Sequence, residues 1–162
     1  MISKRLGRPA ALIATLCLLA VGAGASSSSA AHSESQATEA AQAPATLTAR
    51  KTRFGTILFD GSGRALYGFT RDRRGGSSQC YGECAVAWPV YFKRTDLNAG
   101  KGVNKSLIGT TRRRDGRQQL TYNGWPLYYY IDDTEPGEVS CQNVDEFGGL
   151  WLVVKPGGGL VR

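Results

Sequence analysis

The sequence has 162 residues, with 20 Lys and Arg against 13 Asp and Glu, a formal net charge of +7. The length fits one domain of ordinary size, and a hydrophobic content of 41% excludes a wholly disordered chain. A single histidine nearly excludes a His-based metal cage and a Ser-His-Asp triad, and the one long apolar run, at the N-terminus, excludes a multispanning membrane protein.

Residues 1–25 read as an export signal. Lys4, Arg5 and Arg8 form the positive region, Ala10 to Val21 the apolar stretch, and Ala23-Gly24-Ala25 a small-residue cleavage site before Ser26. Two alternatives stay open: an uncleaved membrane anchor, and a lipid on Cys17, for which Leu16 is the wrong preceding residue. Residues 26–50 are rich in Ser, Ala, Gln and Thr, with almost no bulky apolar side chain. They are expected to form a disordered linker, because they cannot offset their own ordering entropy. His32 lies there and is read as inert. The expected domain is then 51–162, and export makes disulfides permissible in it.

The domain repeats itself. Shifted by 61 positions, Gly63 falls on Gly124, Leu66 on Leu127, Tyr67 on Tyr128, Phe69 on Tyr130, Asp72 on Asp133, Gly76 on Gly137 and Cys80 on Cys141. With two residues inserted, Trp88 meets Trp151 and Val90 meets Val153. The two units run from about 54 to 93 and from about 107 to 155.

Both units read as β-hairpins. Thr56 to Phe59 is a β-prone run, Asp60 to Gly63 is turn chemistry, and Ala65 to Thr70 returns. Tyr81 to Trp88 lacks alternation, while Cys84, Ala85 and Trp88 recur at helical spacing. The spacing predicts a helical turn or two, ended before Pro89. Asp115-Gly116 joins Ile108–Arg113 to Gln118–Tyr122, and Asn123-Gly124 turns the chain again towards Pro126 to Ile131. Leu150 to Val154 is a strand, and Leu160-Val161 pairs back after the Pro156–Gly159 turn. The predicted fold class is mainly β: a compact antiparallel domain of two pseudo-symmetric repeats with one short helical segment near 80–88.

Tyr67-x-Phe69-x-x-Asp72 and Tyr128-x-Tyr130-x-x-Asp133 resemble the paired Yx(FWY)xxD motifs of a bacterial family of predicted lipoproteins, or "secreted repeat of unknown function". Cys80-x-x-x-Cys84-x-x-x-Trp88-Pro89 and Phe147-Gly148-Gly149-x-Trp151 fit the same pattern. The resemblance implies a secreted or envelope-associated repeat protein and brings no established activity. Many relatives lack a cysteine where Cys141 stands, which implies a local Cys80–Cys84 bridge.

On a strand, Tyr67 and Phe69 share one face with Gly68 opposite, and Tyr128 and Tyr130 share one with Tyr129 opposite. The four rings are expected in one core layer. Asp72 and Asp133 then accept backbone N–H groups or a buried Tyr hydroxyl. The rival is an acid/base carboxylate pair in a shared cleft. The cysteines leave alternatives open. A Cys80–Cys84 bridge on a helical turn spans roughly 6 Å between Cα atoms. A bridge to Cys141 closes a loop worth roughly 4 kcal/mol. Either leaves one thiol, available for a disulfide-linked dimer. A three-thiolate metal site and a redox-active pair are weaker alternatives.

Charge is segregated: Lys93 to Arg117 is net +6, and Asp132 to Glu146 is net −6. Both stretches read as solvated loop faces; the sharper reading of the basic one is a patch for an anionic envelope polymer or lipid surface. No nucleic acid is expected, and the acidic stretch lacks an EF-hand pattern for calcium. Trp125, after the Asn-Gly turn, is the tryptophan most suited to bind a ligand. No cofactor, metal or catalytic residue is assigned. The expected role is non-enzymatic, structural or binding, with an exported carboxylate or thiol-redox enzyme or a thiolate metal protein as alternatives.

Overall fold

A computed structural model describes residues 46–94 and 96–162. The expected signal segment, Cys17, His32 and most of the expected linker lie outside the described residues.

The strands are β1 Leu47–Thr52, β2 Gly55–Asp60, β3 Tyr67–Phe69, β4 Ile108–Arg112, β5 Gln118–Tyr122, β6 Trp125–Pro126, β7 Val144–Glu146 and β8 Gly149–Val153. One helix, α1 Glu83–Ala87, lies between β3 and β4, and a 3-10 turn, Lys105–Leu107, leads into β4. They form three antiparallel sheets: β1-β2, β3-β8-β7 and β4-β5-β6. This is the mainly β architecture with one short helix that the sequence predicts.

One boundary differs. β1 begins at Leu47, so the end of the stretch read as linker belongs to the domain. Its Thr and Lys content hides the strand, but Leu47 is fully buried and β1 pairs with β2 along its whole length, from Leu47↔Asp60 to Thr52↔Gly55. A second difference is β7, which lies in the acidic stretch read as a loop. It pairs with β8 through a tight turn in which Phe147 and Gly148 both take positive φ.

The core has two faces on one central layer. Ile57, Phe59, Tyr67, Phe69, Tyr128 and Val153 pack on one side with Trp88 and Trp151. Leu58, Leu66, Leu127 and Val154 pack on the other with Leu47, Leu120 and Tyr122. Alternate residues of the same strands feed opposite clusters, so these strands are buried on both sides. Gly68 fits the same alternation: a Cβ there would meet Leu160 Cδ2 at 2.7 Å.

The repeats do not close on themselves. β3 of the first repeat pairs with β8 of the second, with Tyr67 opposite Val153 and Phe69 opposite Trp151. Tyr67 and Tyr128 face each other across an isolated antiparallel bridge, their amides donating to each other's carbonyls at 2.9 and 3.0 Å. A pseudo-twofold axis therefore runs between these two tyrosines.

Candidate functional site

The motif side chains meet across that axis. The Tyr67 hydroxyl donates to Asp133 Oδ2 at 2.6 Å, and the Tyr128 hydroxyl donates to Asp72 Oδ2 at 2.7 Å. The other carboxylate oxygens close the loops behind them. Asp72 Oδ1 accepts the Gln79 amide at 2.7 Å, and Asp133 Oδ1 accepts the Ser140 amide at 2.9 Å. Both aspartates are buried, at 3% and 1% exposure. Burial pushes Asp72 up to about 6, against the pull of its Tyr128 and Gln79 hydrogen bonds and of the Arg113 charge. Burial, followed by the facing carboxylate, holds the Tyr67 and Tyr128 phenols well above their usual range, so both remain donors.

The rings form one stack. Trp88 and Trp151 are parallel with centroids 4.0 Å apart, and Phe69 continues the stack on Trp151 at 4.1 Å. Tyr67 meets Trp88 edge-on, Tyr128 meets Trp151 edge-on, and the half-buried Tyr130 leans on Trp88. Both indole N–H groups donate to Glu146, Trp88 to its Oε2 and Trp151 to its carbonyl. Tyr129, on the opposite face, donates to Asp60 and packs beside Tyr91. The motif residues thus build the seam between repeats. Neither Asp72 nor Asp133 lines any of the four open clefts described for this surface.

Cys80 and Cys84 are joined, with Cα atoms 5.3 Å apart, and Cys141 is a free, half-buried thiol. The bridge spans a sequence separation of only 4. By the chain-entropy account such a loop contributes about 2 kcal/mol, against about 4 for a loop closed to Cys141. Two of the three thiolates that a metal site would need are spent in it.

The charged stretches are built unevenly. Arg113, in the basic run, is withdrawn from the surface at 4% exposure. Its Nη1 donates to Gln119 Oε1 and its Nη2 to the Cys80 carbonyl, both at 2.7 Å. Nothing in the sequence separates it from Arg112 and Arg114. In exchange, the loop after β3 brings exposed Arg71, Arg73 and Arg74 beside the β4–β5 hairpin, where Thr111 Oγ1 donates to the Gly76 carbonyl. Arg114 and Arg117 lie over the rings of Tyr81 and Phe92, and Arg117 is paired to Asp115 at 2.7 Å. In the acidic stretch, Asp133 is buried and Glu138 caps the Thr134 and Glu135 amides. Among the described residues no group of three or more His, Cys, Asp or Glu side chains is placed to hold a metal ion.

Trp125 is half-buried, unlike Trp88 and Trp151. With Arg74, Asn123, Leu160 and Arg162 it lines an open groove of about 390 Å³ whose remaining wall is Gly157 to Gly159. Arg74 Nε donates to the Asn123 carbonyl at 2.8 Å, which joins this groove to the arginine loop.

Fold and seam together define a two-repeat antiparallel β protein. Residues 48–91 and 109–155, more than half of the chain, match the family described as a secreted repeat of unknown function, and the chain belongs to that family. The first repeat thus begins with β1, ahead of the start near 54 read from the motif spacing. No curated protein and no solved structure matches the chain. None of the helices among the described residues is long and apolar enough to cross a membrane.

Proposed function

We propose that this secreted repeat protein is a non-enzymatic binding protein that holds an anionic polymer of the cell envelope on its arginine face. The observation that carries the reading is the continuity between Arg71, Arg73 and Arg74 and the Trp125 groove. Those three arginines pair with no described carboxylate. A guanidinium row binds phosphate or carboxylate groups by charge-assisted hydrogen bonds. A half-exposed indole adds a flat surface for a sugar ring. The groove favours a polymer carrying sugars over a bare lipid surface. The burial of Asp72 and Asp133 in Tyr–Asp hydrogen bonds supports a structural part for the motif, leaving binding to the surface.

The test is titration of the exported protein with poly(glycerol phosphate), a sugar-bearing phosphate polymer and neutral dextran, at low and physiological salt. Binding to the anionic polymers, weakening with salt and strongest for the sugar-bearing one, is expected. Joint Arg71→Glu, Arg73→Glu and Arg74→Glu substitution should abolish it, and Trp125→Ala should weaken only the sugar-bearing case. Equal affinity for dextran, or full affinity in the arginine variant, overturns the reading.

A further inference from the structure

The Cys80–Cys84 bond follows a turn that hydrogen bonds already close. Cys141, the repeat counterpart of Cys80, is free. Yet its loop is held by the same contact: Ser140 donates to Asp133 at 2.9 Å where Gln79 donates to Asp72 at 2.7 Å. The second repeat shows that hydrogen bonds alone close this turn.

The two cysteines differ in surroundings, though both are buried, at 0% for Cys80 and 6% for Cys84. Cys84 forms part of the wall of an open cleft of about 510 Å³, with Phe69, Arg71, Tyr81, Glu83 and Phe147 around it. Cys80 is fully buried and is not part of that wall. An incoming thiolate would reach Cys84 through this cleft, whose wall includes Arg71, its Nη1 donating to the Phe147 carbonyl at 2.9 Å.

Arg113 is tied to the main chain of the buried Cys80. It holds the Cys80 carbonyl through Nη2 at 2.7 Å. Its Nε is the one buried side-chain nitrogen or oxygen among the described residues with no hydrogen-bond partner. No described carboxylate lies within ion-pair distance of it. Arg113 also lies over the Tyr81 ring at 4.2 Å and its charge acts on the buried Asp72; held to the Cys80 main chain, this cation favours negative charge arriving on that residue.

We propose that the Cys80–Cys84 bond is a thiol–disulfide exchange site, in which an exported dithiol attacks Cys84 and Cys80, the residue whose carbonyl Arg113 holds, is the leaving sulfur. In the first step a thiolate of the dithiol bonds to Cys84 Sγ, the S–S bond breaks, and its electron pair goes to Cys80 Sγ. In the second, the remaining thiolate of the dithiol attacks its own sulfur in the mixed disulfide and releases Cys84. The dithiol ends as a disulfide, two electrons pass to the protein, and the two protons lost by the dithiol end on Cys80 and Cys84. The proposal does not rest on the polymer-binding reading, although Arg71 belongs to both surfaces.

The experiment has two arms on the full exported chain. In the first, the folded protein is equilibrated with dithiothreitol mixtures, alkylated and weighed, while near-ultraviolet circular dichroism follows the tryptophan stack. Reduction with the stack signal retained is expected. Arg113→Gln should shift the equilibrium towards the disulfide about tenfold and slow reduction about threefold, with Arg113→Lys close to wild type. In the second, Cys80→Ser and Cys84→Ser variants meet oxidised glutathione. The thiol of Cys84 should form the mixed disulfide readily, and that of Cys80 should not. Because this arm keeps Arg113, it stands even where Arg113→Gln does not fold. Reduction only on unfolding, faster modification of Cys80 than of Cys84, or an unchanged equilibrium in a folded Arg113→Gln overturns the proposal.

Discussion

Tyr67 and Asp133 belong to different copies of the repeat, yet the phenol of the first donates to the carboxylate of the second at 2.6 Å. Tyr128 and Asp72 return the bond at 2.7 Å. Hydrogen bonds to charged partners contribute roughly 1.5–3 kcal/mol each. Tyr67→Phe and Tyr128→Phe are each expected to lower the unfolding free energy by about that amount, because each leaves a buried carboxylate short of a donor. Urea titration measures it. A double-mutant cycle of Tyr67→Phe with Asp133→Asn should show coupling, and additive losses would contradict the bond.

Stability should depend on pH through Asp72. Its folded pKa, about 6, lies above the ordinary carboxylate value, so the fold disfavours the charged form. Its contribution is fully present below about pH 4 and is lost as pH rises through 6, for a total of up to about 3 kcal/mol. The wild type should gain stability relative to Asp72→Asn between neutral and mildly acidic pH. Denaturation midpoints at the two pH values check the sign, and parallel midpoints would remove Asp72 as the cause.

Trp88 and Trp151, parallel at 4.0 Å, should give an exciton couplet in the far-ultraviolet circular dichroism. Either Trp88→Phe or Trp151→Phe should abolish it, since one indole cannot couple alone. Trp88→Ala is expected to cost about 3–5 kcal/mol, the range for emptying a large core site.

Gly124 takes a φ of +80, and a Cβ there would meet the Gly75 amide nitrogen at 2.8 Å. That amide donates to the Gly124 carbonyl at 2.8 Å, tying the first repeat's loop to the second repeat's turn. Gly124→Ala should therefore destabilise by about 1–3 kcal/mol, from left-handed strain and from backbone that cannot yield. Thermal melting reads the effect, and a shift within error would show that the turn can relax.

Much of this was legible in the residues. The spacing of 61 exposes the repeat, and strand alternation sends Tyr67 and Phe69 to one face and Tyr129 to the other. The crossing was not legible, because a repeat records equivalence and is silent on whether a tyrosine meets its own aspartate or its neighbour's. β1 was masked by threonine and lysine, and β7 by its acidic residues, since both strands keep one solvated side. Arg113 looks like its neighbours in an Arg-Arg-Arg run, and only packing against Gln119 and Cys80 sets it apart. The charge runs marked a basic surface but omitted Arg71, Arg73 and Arg74, which reach it through the chain's return after β3.

The pairing of β3 with β8 has a consequence for how this chain can be divided. A fragment ending after the first repeat would carry Tyr67 and Asp72 with no mates, and the second would carry Tyr128 and Asp133 in the same condition. Each half is the other's missing template, so the two should be structureless apart and fold when mixed. In that sense the polypeptide is an internalised homodimer, a partnership between two molecules made permanent by joining them end to end.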